Sequence, residues 1–138
     1  MKKHSVVLAF LLMAPHAYCA DYSGCFQKNT MEMSFCFSDI RAATENTLKN
    51  EEERIIHEIS QLTLTPNGEE ENKKLKKQTL ASFMRAQEMW RAYRDSDCKF
   101  IYNANQYGSM RNVFEQQCLI VRTEQRIDEL KNWQNWEY

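Results

Sequence analysis

Glycine and proline are almost missing from this chain. Its 138 residues hold three glycines and two prolines. These residues are the strongest breakers of regular structure, so their scarcity leaves long uninterrupted stretches. Beyond residue 20 the breaks are Gly24, Thr65-Pro66-Asn67-Gly68 and Tyr107-Gly108-Ser109. Between them the chain is rich in Glu, Lys, Gln, Leu and Ala, all good helix formers. No period-two alternation marks a strand. The expected fold class is therefore all-α.

Three helical stretches follow from the periodicity. The first runs from about Thr30 to Leu64, with Leu48, Ile55 and Leu62 recurring at sevens and Ile59 between them. That spacing makes one apolar stripe. The second runs from about Glu69 to Cys98 or slightly beyond, with Leu80, Phe83, Ala86, Trp90 and Tyr93 on one face. The third runs from about Ser109 to Trp136, with Val113, Ile120 and Ile127 at sevens, flanked by Phe114, Val121 and Leu130. Ser109 is a reasonable N-cap for it. Two short turns joining three long helices imply an antiparallel bundle. The segment around Cys25 is expected as a loop or short turn across one end. Trp133, Trp136 and Tyr138 either close the far end or form a contact patch.

Met1 to Ala20 reads as a signal peptide. Lys2 and Lys3 give it a basic start, and Val6 to Ala14 is a nine-residue apolar run. That run is shorter than the ~20 apolar residues of a membrane span. Small residues at Ala17, Cys19 and Ala20 allow cleavage after Cys19 or after Ala20. Lipidation of Cys19 fits poorly, because His16 and Tyr18 occupy positions where Leu and a small residue are usual. The mature chain, residues 21–138, is one domain located in the periplasm or secreted. Without Lys2 and Lys3 it carries sixteen basic against nineteen acidic residues, a net charge near −3. No second long apolar run and no basic patch occur, so neither a transmembrane segment nor a nucleic-acid partner is expected.

Four cysteines remain after the signal: Cys25, Cys36, Cys98 and Cys118. No C-x-x-C pair is present, which leaves a zinc site little support. An oxidising compartment favours two disulfides. Three connectivities are open, and local pairing, Cys25–Cys36 and Cys98–Cys118, is the expectation. In an antiparallel hairpin Cys98 and Cys118 can face each other around the Gly108 break.

Several motifs now line up. Gln87, Trp90, Tyr93, Arg94, Asp95 and Cys98 read Q-x-x-W-x-x-Y-R-D-x-x-C, and Gly108-Ser109 follows. Cys118, Thr123, Arg126 and Leu130 read C-x(4)-T-x-x-R-x(3)-L, and Cys25, Thr30 and Cys36 read C-x(4)-T-x(5)-C. Together they resemble the lysozyme-inhibitor LprI-type N-terminal domain over nearly the whole mature chain. The first helix departs from it, with Lys49 and Glu52 where an Asn and a Tyr are usual. The resemblance implies a small, exported, helical, cysteine-bridged protein of the bacterial envelope, in some members associated with lysozyme inhibition.

The motif residues read first as scaffold. On a helical wheel Arg94 lies near the centre of the face with Phe83, Trp90 and Ile101. A buried guanidinium needs partners for its charge and its donors. Asp97 and an acceptor from the third helix, Glu124, are the expected partners, with Gln87 on the same side. Trp90 and Tyr93 are expected in the core, with Thr123 and Arg126 supporting the network. The stretch from Lys99 to Met110 is the candidate partner-binding loop. Tyr102, Asn105 and Tyr107, followed by Ser109 and Arg111, combine aromatic and polar groups common at interfaces. Ser109 and Arg111 offer a hydroxyl and a cation to catalytic carboxylates; otherwise Ser109 caps a helix and Arg111 is solvated.

No enzyme is expected. The mature chain has one histidine, His57, among charged neighbours, and no nucleophile elbow, phosphate loop or H-E-x-x-H pattern. No cofactor is implied. The favoured function is protein binding, most simply inhibition of a lysozyme-type peptidoglycan hydrolase from the host or from a competitor. The latter would make the chain an immunity protein. The alternative is a non-inhibitory envelope module binding another protein or a glycan.

Overall fold

The computed structural model describes residues 22–135. The expected signal peptide with its cleavage site and Cys19, and the aromatics Trp136 and Tyr138, lie outside the described residues. Within them a short helix, α1 (Ser23–Phe26), precedes α2 (Thr30–Gln61), α3 (Glu69–Ala104) and α4 (Arg111–Lys131), and a 3-10 turn (Trp133–Asn135) ends the description.

Each boundary has a local cause. Asn29 is extended at the start of α2, and its Oδ1 accepts the Glu32 backbone N–H at 3.0 Å. Helix α2 stops at Gln61, three residues earlier than expected, where Leu62 turns to extended backbone ahead of Pro66. Gly68, with φ +112°, is the described residue in the positive-φ region. It hands the chain to Glu69, Glu70 and Glu71, whose charges suit a helix N-terminus.

Helix α3 runs six residues past Cys98, so the expected loop from Lys99 is half helix. Nothing breaks the helix before Asn105, whose side chain donates to the Ile101 carbonyl at 2.8 Å. The remaining turn is tight. Gly108 N–H donates to the Asn105 carbonyl at 2.9 Å, and a Cβ at Gly108 would meet that oxygen at 3.4 Å. Ser109 does not cap α4, contrary to expectation. The first α-type backbone bond of α4 runs from Phe114 N–H to the Met110 carbonyl at 3.0 Å, so Met110 holds the cap position without a side-chain bond. Helix α4 ends at Lys131, short of Trp136.

Partner residues set the topology. Gln87 meets Arg126, Arg94 meets Thr123 and Cys98 meets Cys118, so α3 and α4 are antiparallel. Arg41 meets Gln116 and Arg54 meets the Leu130 carbonyl, so α2 and α4 are parallel. The three long helices make an up-down-up bundle, and α4 packs against both others. The two disulfides are Cys25–Cys36, which ties α1 to α2, and Cys98–Cys118, which ties α3 to α4. The Cys25 segment is thus a helical turn, not a loop.

The core divides in two. Tyr22, Cys25, Met33, Phe37, Val113 and Ile120 pack near the α1 end. Leu48, Ile55, Ile59, Ile127 and Leu130 pack at the other end, with Phe83, Trp90 and Trp133 against them. Between these clusters in sequence, on both α2 and α4, lie Glu45 and Thr123. They mark a polar layer.

Candidate functional site

The polar layer is built around Arg94, which is 4% exposed. Its Nη1 donates to Glu45 Oε1 at 2.6 Å and to Thr123 Oγ1 at 2.9 Å. Its Nε donates to Asp95 Oδ1 at 2.9 Å. The Thr123 hydroxyl in turn donates a hydrogen bond to the Leu119 carbonyl at 2.7 Å. The Arg94 guanidinium also lies 5.0 Å from the Trp90 ring centroid, and Arg126 lies 5.7 Å from it. Arg126 Nε donates to Gln87 Oε1 at 3.1 Å. Three helices therefore meet at one buried cation.

Two expected partners of Arg94 belong elsewhere. Asp97 accepts from Arg122 Nη2 of α4 at 2.8 Å. Glu124 accepts the Tyr22 hydroxyl at 2.7 Å. The true partner across the bundle, Glu45, was missed. The signal for it exists: Glu45, Leu48, Glu52, Ile55 and Ile59 keep the alternating four-three spacing of the buried stripe. An acid on such a stripe implies a cation opposite. Tyr93 is not in the core but 60% exposed, one residue around the helix from Arg94.

A second charged cluster closes the far end. Trp133 Nε1 donates to Glu58 Oε2 at 2.9 Å, and Arg54 bonds the other Glu58 oxygen. These bonds, the indole first, hold the Glu58 carboxyl below its ordinary range. Arg54 also donates to Glu51 at 2.8 Å and to the Leu130 carbonyl at 3.1 Å, near the α4 C-terminus. Hydrogen bonding to Glu51, then to Glu58, raises the Arg54 pKa.

The α3–α4 turn is different, because its side chains point outward. Tyr107 is 96% exposed. Below it Tyr102 is half-buried, with Lys99 Nζ 3.9 Å and the Arg111 guanidinium 4.9 Å from its ring centroid. Arg111 is thus half-buried on an aromatic ring, not fully solvated. Ser109 is exposed, and Asn105 turns back onto its own helix. The turn brings Tyr102, Tyr107, Ser109 and Arg111 to one end of the bundle. Gln87, Trp90, Arg94, Thr123 and Arg126 gather instead in the buried layer. On the outer face of α3, Met89, Tyr93 and Phe100 are exposed, with Ser82, Ala86 and Ser96 continuing the same spacing.

Glu45, Glu52 and Asp97 are each paired with an arginine of another helix. Among the described residues no group of His, Cys, Asp and Glu could hold a metal ion, and no helix is long and apolar enough to cross a membrane. The molecule is a small disulfide-braced helical module with an aromatic, cationic tip.

The matched segment is more specific than that class. The chain belongs to the lysozyme inhibitor LprI family, whose sequence model matches residues 24–130. The match spans both disulfides, the Arg94 layer and the α3–α4 turn. No curated protein and no solved structure matches the chain.

Proposed function

We propose that the protein is exported through its N-terminal signal peptide and inhibits a lysozyme-type peptidoglycan hydrolase by inserting the α3–α4 turn into the catalytic cleft. The observation that carries this is Tyr107, almost wholly exposed at the apex of a turn that Gly108 tightens and Cys98–Cys118 anchors. A rigid apex loses little conformational freedom on binding. Arg111 and Lys99 stand beside it as cations, and Ser109 as a hydroxyl. Lysozyme clefts hold two carboxylates that accept such donors. The mature charge near −3 favours encounter with a basic enzyme. The target is either a host lysozyme or a competitor's injected hydrolase, which would make the chain an immunity protein. Catalysis by the chain itself has no support, since its interhelical acids are paired and His57 is exposed.

The test is a cell-wall lysis assay titrated with oxidised mature protein against c-type, g-type and phage-type lysozymes. Saturable inhibition of one class near one equivalent is expected, and Tyr107→Ala weakens it at least about tenfold, the loss typical of a truncated aromatic anchor. Inhibition of no class sinks the proposal.

A second reading, a non-inhibitory envelope module, is favoured by the exposed Met89, Tyr93 and Phe100 face of α3. It predicts that Tyr93→Lys abolishes capture of an envelope partner while lysozymes stay fully active in its presence.

A further inference from the structure

Arg111 stands apart from the other arginines that are out of full solvent. Every other buried or half-buried arginine among the described residues donates to a side-chain oxygen. Arg111 is half-buried at the start of α4, yet no acceptor among the described residues meets its guanidinium. What holds it is the Tyr102 ring, whose centroid lies 4.9 Å from the guanidinium carbon.

The acid that should pair with Arg111 is present. Glu115 stands four residues along α4, a spacing at which opposite charges meet on a helix. Its Oε1 instead meets Lys99 Nζ of α3 at 3.6 Å. Lys99 also lies on the Tyr102 ring, 3.9 Å from the centroid. Glu115 therefore neutralises Lys99, and Arg111 keeps its charge and its five donors. The first turn of α4 gives no relief. It carries no acid, and Met110 caps it without a side-chain bond. A cation at a helix N-terminus meets the positive end of the dipole, so an anion from outside relieves both.

We propose that Arg111 grips a carboxylate of the target hydrolase through two parallel N–H···O bonds, that Tyr102 is its positioning residue, and that Lys99 acts by keeping Glu115 away from it. This rests on the inhibitor reading of the same tip. The planar fork of a guanidinium matches the two oxygens of a carboxylate. Held on the ring, it loses less freedom on binding than a solvated side chain does. A polyanion would need further unpaired cations beside it, and Lys99 is already paired.

The experiment is the lysis assay on whichever lysozyme class the oxidised wild-type protein inhibits, with inhibition constants measured for tip variants. Arg111→Ala should weaken inhibition about thirtyfold or more, and Arg111→Lys roughly tenfold, because lysine keeps the charge and loses the fork. Tyr102→Leu should weaken it roughly fivefold, and Tyr102→Phe less than about twofold, because phenylalanine keeps the ring. In the Arg111→Ala background Tyr102→Leu should cost nothing more, since the ring acts through the guanidinium. Lys99→Met should weaken inhibition by releasing Glu115 onto Arg111, and adding Glu115→Gln should restore it to within about twofold. A lysine that touched the target itself would not be rescued that way. Inhibition of no class overturns this proposal together with the inhibitor reading. Three results overturn this proposal alone and leave that reading in place: wild-type inhibition that Arg111→Ala leaves unchanged, a full extra loss from Tyr102→Leu in the Arg111→Ala background, or a Lys99→Met loss that Glu115→Gln does not rescue.

Discussion

Replacing Arg94 by alanine separates a scaffold role from a binding role. The loss can be worked from the structure. The Arg94 side chain is 5% exposed, so truncation at Cβ deletes two buried methylenes, at ~0.8 kcal/mol each. Its pairing with Glu45 would cost several kcal/mol to break if both groups were buried. Glu45 is 31% exposed and can rehydrate, which cuts that share to about 1 kcal/mol. Asp95 is 60% exposed, so its share is close to zero on the surface-pair scale. Thr123 still donates to Leu119, so its hydroxyl is not stranded. The total is about 3 kcal/mol, a large part of the ~5–15 kcal/mol that holds a small domain. Melting should fall by roughly 10–15 °C in a domain of this size.

The assay is far-UV circular dichroism of oxidised protein, by heat and by urea, with Arg94→Lys and Glu45→Gln as companions. Lysine keeps the charge but loses the fork, so about half the destabilisation should remain. Arg94→Ala and Glu45→Gln should be less than additive by about 1 kcal/mol, because they remove one shared bond. Below the melting range, inhibition per folded molecule should be unchanged. A loss under about 1 kcal/mol, together with abolished inhibition, would refute this reasoning and make Arg94 a contact residue.

Removing Cys98–Cys118 by double alanine replacement should cost ~3.3 kcal/mol for its separation of 20, and removing Cys25–Cys36 ~2.8 kcal/mol for 11, on the loop-entropy estimate; urea midpoints with and without reductant check both. Acid should weaken the end closed by Trp133. Glu58 has its folded pKa lowered from 4.5, so its contribution is full above that value and is lost as pH falls through the lowered one. Glu58→Gln should flatten the urea midpoint against pH between about pH 5 and 3, and an unchanged profile would count against the indole bond. Tyr107→Ala should leave melting within about 1 °C, as expected for an exposed site, so a large fall would show that the apex is structural.

Local rules explain what the sequence made legible. Breaker residues placed both turns, because Pro66, Gly68 and Gly108 each have a backbone reason to be there. Stripes at sevens picked Leu48, Ile55, Val113, Ile120 and Ile127, all buried, because one helix face needs no knowledge of its neighbour. Pairing across helices was less legible. Whether Arg94 meets Glu124 or Glu45 depends on the rotation of α2 against α3, which no single-helix wheel contains. Tyr93 failed for a related reason: adjacent residues lie about 100° apart, so a motif contiguous in sequence cannot be contiguous in the core.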